Sequence, residues 1–213
     1  MKILANDGIS QSGIDDLTTA GFEVLTTTVA QEQLVTFINS ENIVALLVRS
    51  ATTVRQDLID ACPGLKIIGR GGVGMDNIDV AYAREKGLNV INTPAASSES
   101  VAELVFAHLF SGVRFLYDSN RSMPLEGEKK FKNLKKAYAK GTELRGKTLG
   151  VIGFGRIGQA TAKMALGLGM KVIAFDPFME KTTVSLSFFD GQTVDFEIKT
   201  VSKETVLKES DFI

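Results

Sequence analysis

Three observations in this chain of 213 residues predict an α/β architecture. Short apolar runs of strand length recur through residues 2–92 and alternate with segments of helical period. A second stretch, residues 146–177, runs strand, glycine turn, helix, strand, acid. The polar residues of the first half gather just after the ends of the strand candidates. Strands that alternate with helices pair in parallel and carry helices on both faces. Residues 1–94 are therefore expected to form a flavodoxin-like domain. Residues 95–213 are expected to form an incomplete Rossmann domain, a doubly wound parallel sheet.

The strand candidates of the first domain are residues 3–5, 23–25, 43–48, 65–69 and 88–91. Helical segments fall between them at 11–20, 31–39, 55–61 and 77–86. Gly21-Phe22, Pro63-Gly64 and Gly87 punctuate the series. Asn6-Asp7, Arg49-Ser50, Arg70 and Asn92 each follow a strand. In a parallel sheet those ends share one rim, where α/β ligand crevices form. Two arginines there suit a small, multiply anionic ligand, since each guanidinium can fork onto a carboxylate or phosphate. The loop Arg70-Gly71-Gly72-Val73-Gly74-Met75-Asp76-Asn77 lets backbone approach a partner closely, and Asp76 and Asn77 are expected to cap the next helix.

Pro94 closes this layer. Ser100-Val101-Ala102-Glu103 has the form of a capping box and predicts a long helix over 101–117. Its apolar face runs through Leu104, Val105, Phe106, Leu109, Phe110 and Val113. This helix is expected to join the domains and to offer a dimer surface. His108 lies on it, with apolar neighbours and no partner at ligand or triad spacing, and reads as structural. Residues 122–142 carry Lys129, Lys130, Lys132, Lys135, Lys136 and Lys140, tempered by Glu126 and Glu128. They read as a solvated connector and helix, because no aromatics interleave them as nucleic-acid binding requires.

The second stretch is the most informative. Residues 148–152 are apolar and of strand length. In Gly153-Phe154-Gly155-Arg156-Ile157-Gly158, Gly153 permits the tight turn and Gly155 lets a pyrophosphate approach the backbone. Gly158 lets the helix pack on its strand. The helix that begins near Arg156 aims free N–H groups at the pyrophosphate. Asp176 ends the second strand. A carboxylate there accepts hydrogen bonds from the adenosine-ribose hydroxyls and repels a 2′-phosphate, so NAD is expected over NADP. Beyond it, alternating runs around Asp190-Gly191 predict a hairpin over 183–198. Its second arm either completes the hairpin or leads into the third Rossmann strand. A helix is expected over 202–210 and a further strand from Asp211.

Bulk properties exclude several classes. A net charge of −1 sets up no field toward nucleic acid or an anionic membrane. The longest apolar run, residues 43–48, spans no bilayer, and the N-terminus has no signal-peptide pattern. The single cysteine, Cys62, excludes an intrachain disulfide and fits a reducing, cytoplasmic setting.

Taken together, these motifs resemble the D-2-hydroxyacid dehydrogenase family, and within it the members acting on 3-phosphoglycerate. The likeness rests on Val48-Arg49-Ser50-Ala51-Thr52, Gly69-Arg70 through Asp79, Asn92-Thr93-Pro94 with Ser100-Val-Ala-Glu103, and Gly146 through Gly158. It covers residues 1–176 well and the remainder loosely. It implies NAD as cofactor, a small phosphorylated hydroxy acid as substrate, and a homodimer in the full-length protein. Arg49 and Ser50 would hold substrate phosphate or carboxylate, and Arg70 and Gly74 would line the substrate and nicotinamide cleft. Arg156 and Ile157 would meet the pyrophosphate, with Gly153, Gly155 and Gly158 forming the cofactor loop around it, and Asp176 would take the adenosine ribose.

The family's catalytic arginine, glutamate and histidine come later in the chain than residue 213, as does a helix that returns to the first domain. Residues 1–213 are thus expected to be part of a longer enzyme, with no catalytic residue of their own and no turnover alone. Ala95-Ala96-Ser97 departs from members with an asparagine there, and the hairpin is longer than usual. The alternatives are another D-2-hydroxyacid dehydrogenase, of the glycerate or glyoxylate type, and a non-catalytic NAD-binding regulator on the same fold.

Overall fold

The central strand of the first sheet is Ile43–Val48, whose run Ile-Val-Ala-Leu-Leu-Val is buried at Ile43, Ala45, Leu46 and Val48. Burial on both faces is what a β-branched run between helical layers dictates. The computed structural model describes residues 1–213, and the chain divides into two compact units, Met1–Ser97 and Ser98–Ile213.

The first unit alternates β1 (Lys2–Ala5), α1 (Gln11–Thr19), β2 (Glu23–Leu25), α2 (Gln31–Glu41), β3 (Ile43–Val48), α3 (Gln56–Ala61), β4 (Ile67–Arg70), α4 (Val80–Glu85) and β5 (Asn89–Asn92). All pairings are parallel and the strand order is β2-β1-β3-β4-β5. This is the flavodoxin-like order, with its switch point between β1 and β3. Leu34, Ile38, Leu58, Ile59 and Ala83 from α2, α3 and α4 bury against Leu4, Leu46 and Ile68 of the sheet. Ser10 caps α1, its side chain accepting from the Gly13 N–H at 3.3 Å.

Two elements start two or more residues later than the sequence expectation. The fourth strand begins at Ile67 rather than Leu65, because the Leu65 N–H closes a turn onto Cys62 O at 3.0 Å. The fourth helix begins at Val80 rather than Asn77, because Ile78 folds back onto Met75 O and bridges to Val54. Neither Asp76 nor Asn77 caps it; the cap position is Asp79, which makes no side-chain cap bond.

The second unit contains α5 (Ser98–Val113), α6 (Leu116–Tyr138), β6 (Thr148–Ile152), α7 (Arg156–Gly167), β7 (Lys171–Phe175), β8 (Lys181–Ser187), β9 (Thr193–Lys199) and α8 (Lys203–Glu209). The expected single helix over 101–117 is two. α5 already starts at Ser98, so Ser100 sits inside it and is no cap. It ends at Val113, whose carbonyl accepts from the Thr142 N–H at 2.9 Å, and Phe115 turns left-handed at φ 56°. α6 buries none of its residues, as a lysine-rich solvated segment should, and kinks at Lys130.

β6 and β7 pair in parallel, and single bridges extend them on both sides. Thr200 bridges to Ala174 of β7, and Phe212 bridges to Leu149 of β6. The spatial order is thus third, second, first, fourth, the Rossmann order up to its switch point. β8 and β9 form an antiparallel hairpin. Its second arm is not the third parallel strand; it leads into it at Thr200. Phe106, Leu149, Phe154, Ala162, Ala165, Ala174, Val184 and Ile198 are buried together in the core of this unit.

Candidate functional site

In the first unit a cavity of about 680 Å³ opens at the carboxyl ends of the strands. Its walls include Asp7 and Ser10 after β1, Arg49 after β3, Arg70 and Gly71 at β4, and Asn92 and Thr93 at β5. It therefore sits at the switch point, where the loops after β1 and β3 diverge. Of the residues singled out from sequence, Arg49 and Arg70 meet here. Ser50 and Gly74 do not line the cavity. None of the chain's ion pairs uses either arginine. The nearby Arg55 is instead spent on structure, donating to Asp79 and to Asp76 O, both at 2.8 Å.

A polar lattice, buried at Asn6 and Thr52, shapes the Arg49 loop. Asp7 Oδ2 accepts from the Arg49 N–H at 2.6 Å and the Thr52 N–H at 3.1 Å, and Oδ1 accepts from the Thr52 hydroxyl at 2.5 Å. Asn6 Nδ2 donates to Thr52 Oγ1 and Val29 O, while Asn6 Oδ1 accepts from the Val29 N–H. Burial pushes the Asp7 carboxyl up, but the Thr52 hydroxyl and the N–H groups of Arg49, Thr52 and Ala51 together hold it below the usual carboxylate range. Asn77 reaches the same loop, Nδ2 donating to Arg49 O at 2.9 Å and to Thr52 O at 2.7 Å. Its Oδ1 accepts from Arg70 Nε at 3.1 Å. Asp7, Thr52 and Asn77 shape this site without being singled out from sequence as site residues: the sequence places Asp7 on the ligand rim, and Thr52 and Asn77 only within the two loop motifs.

In the second unit the glycine turn links β6 to α7. Gly153 has φ 92°, which disfavours any side chain. A Cβ at Gly155 would meet nothing within 4 Å, so open space lies over the backbone there. A Cβ at Gly158 would collide with Gly153 O and press on Val151 Cγ1. Phe154 points inward and is fully buried, anchoring the turn to the core. The first bond of α7 runs from the Gln159 N–H to Gly155 O. The N–H groups of Arg156, Ile157 and Gly158 therefore have no carbonyl within the helix. Gly155, the cap position, supplies no side-chain bond.

Asp176 follows β7 and faces this turn. Its Oδ2 accepts from the Phe154 N–H at 2.8 Å, and its Oδ1 accepts from the Phe178 N–H at 2.9 Å. Each carboxylate oxygen keeps further acceptor capacity. Open space at Gly155, an uncapped helix start and a carboxylate beside it form a donor-and-acceptor set that fits a dinucleotide. A groove of about 920 Å³ flanks the turn, walled by α5, β6, Ile157 and Phe212; Asp176 is not among its walls. His108 is exposed on α5 and lines this groove. No helix is long and apolar enough to cross a membrane.

The chain resembles known proteins along its length. A hydroxypyruvate reductase from Thermotoga maritima is 48% identical over 168 residues, 79% of this chain and 49% of that protein. A D-3-phosphoglycerate dehydrogenase from Methanocaldococcus jannaschii is 42% identical over 181 residues, 85% of this chain and 33% of that protein. The crystal structure of an NAD+-bound 3-phosphoglycerate dehydrogenase from Entamoeba histolytica matches 99% of this chain and 60% of its own, with a TM-score of 0.67 at 27% identity. The chain thus spans from a third to about half the length of these two sequence relatives. The profile of the D-isomer specific 2-hydroxyacid dehydrogenase catalytic domain matches residues 3–208, and with the two sheets and the glycine turn described above, the chain belongs to that family.

Proposed function

We propose that the chain provides the substrate- and NAD-binding portions of an enzyme that oxidises 3-phospho-D-glycerate to 3-phosphohydroxypyruvate. On this reading the enzyme is a cytoplasmic homodimer at the entry to serine synthesis. The observation that carries the substrate assignment is the pair of arginines without carboxylate partners on the switch-point cavity. Arg49 and Arg70 offer two planar forks, enough for a ligand with a phosphate and a carboxylate. Ser50 and Gly74 follow them in the same loops but lie off the cavity wall, so the assignment rests on the two arginines.

Bound NAD would supply the hydride acceptor. The first-turn N–H groups at Arg156, Ile157 and Gly158 and the positive end of α7 would hold its pyrophosphate against Gly153 and Gly155. Asp176 would accept the ribose hydroxyls and disfavour a 2′-phosphate. Calorimetry with NADH and NADPH tests this. NADH should bind at least about tenfold tighter, and Asp176→Ala should erase the preference. Equal affinity of the unsubstituted protein for both would remove the NAD assignment.

A second reading, reduction of hydroxypyruvate or another unphosphorylated 2-oxo acid, is favoured by the 48% identity to a hydroxypyruvate reductase. Arg49→Ala separates the two. With a phosphorylated substrate the loss should reach about 2–5 kcal/mol in binding, the cost of truncating a desolvated charge pair. An equal effect on D-glycerate and 3-phosphoglycerate would favour the second reading.

A further inference from the structure

We infer that Asn77 is a positioning residue that couples the two arginines, setting the geometry of one anion clamp from two separate loops. The inference rests on the substrate reading above.

The amide divides its hydrogen bonds between the loops. Its Nδ2 donates to both ends of the four-residue turn after β3, at Arg49 O and Thr52 O. Those two bonds hold the turn by its carbonyls while Asp7 holds its N–H groups. Its Oδ1 accepts from Arg70 Nε. A guanidinium bonded through Nε leaves both Nη groups, the fork that grips an oxyanion, free of that contact. The same guanidinium lies over Gly72, where a Cβ would collide with its Nη1. Arg70 is therefore held at Nε by Asn77, with its Nη1 lying where only a glycine at 72 leaves room.

Residue chemistry at position 77 is narrowly set. An aspartate keeps the acceptor for Arg70 but loses both donors and turns a charge toward two carbonyls. A leucine of similar size loses all three bonds. Only an amide of this length satisfies two carbonyls and a guanidinium at once. Asn77 is half-buried and lies seven residues beyond Arg70, off the cavity wall. It reaches a ligand through the arginines and not by touching it.

The test is a double-mutant cycle read by titration calorimetry, with 3-phosphoglycerate and D-glycerate as ligands. Asn77→Ala should weaken 3-phosphoglycerate by about tenfold or more and D-glycerate by less than about threefold. Once Arg70 is already alanine, adding Asn77→Ala should cost clearly less than it does alone, because only its hold on the Arg49 turn is left to lose. Asn77→Asp, which preserves volume and the Arg70 contact, covers the case in which the alanine variant does not fold. It should weaken 3-phosphoglycerate at least as much as Asn77→Ala, because it gives Arg70 a carboxylate partner, with its melting transition still cooperative; unchanged binding in this variant would overturn the positioning role. Additive losses, or equal weakening of both ligands, would overturn the positioning role while leaving the substrate reading intact. Failure of the unsubstituted protein to bind 3-phosphoglycerate at all would sink both.

Discussion

Gly155 and Gly158 stand three residues apart and face opposite demands. A methyl at Gly158 would strike the backbone carbonyl of Gly153, which cannot swing aside. Gly158→Ala should therefore lower stability by about 1–3 kcal/mol, the usual scale of overpacking, in urea unfolding. A methyl at Gly155 meets no atom, and its φ of −71° is open to any residue. Gly155→Ala should change stability by no more than about 0.5 kcal/mol while weakening NADH, since the methyl occupies the space proposed for the pyrophosphate. A loss of stability at 155 matching that at 158 would show the turn to be purely structural. Asp7 supplies a pH test. Its carboxyl titrates below the ordinary value of 3.8 in the folded chain. Its contribution is therefore fully present above that value and is lost as pH falls through the lower folded value. Asp7→Asn should cost about 1–3 kcal/mol at neutral pH, because an amide keeps one oxygen for the Arg49 and Thr52 N–H groups but turns a donor toward the Thr52 hydroxyl, and the gap to the unsubstituted protein should close on acidification. A gap that stays constant down to pH 2 would exclude this role.

The elements were legible where the signal was local. The strand runs at 43–48, 148–152 and 171–175 coincide with β3, β6 and β7, because a short β-branched run between turn residues has few other outcomes. The capping box at Ser100 failed because α5 gains two further residues before it. The helix expected through residue 117 failed because Thr142, far along the chain, takes the Val113 carbonyl and ends it. The span of α8 was legible, and the cap that the structure adds is testable. Ser202 accepts from the Thr205 N–H at 3.2 Å. α8 lies so close to β6 that a Cβ at Gly150 would collide with Ser210 and Val206. Ser202→Ala should cost about 1 kcal/mol in thermal unfolding, with the loss of hydrogen-exchange protection centred on residues 203–212. Loss confined to the first turn of α8 would mean that the helix does not support the Phe212 bridge.

At the scale of the whole chain, the glycine turn and the arginine cavity were not equally readable. The turn is written in six consecutive residues, and its physics is local. The cavity depends on contacts 42 and 45 residues apart, from Asp7 to Arg49 and Thr52. Only the strand order 2-1-3-4-5 brings these together, and no spacing in the sequence encodes it. The two units also predict a division of response. NADH should raise hydrogen-exchange protection across residues 146–177, while binding of 3-phosphoglycerate should do so around Asp7, Arg49 and Asn77. Protection from NADH confined to residues 2–92 would reverse the assignment of the two sites.

The hairpin of the second unit interrupts the path between its second and third parallel strands, yet it returns the chain to Thr200 beside Ala174. Its base is rooted in the core by Val184 and Ile198, whereas Phe189 at its far end stands wholly in solvent. That geometry makes the hairpin a handle. A foreign peptide spliced between Asp190 and Gly191 would lengthen an exposed turn and leave the parallel register untouched, giving a graft point for a tag or fluorophore.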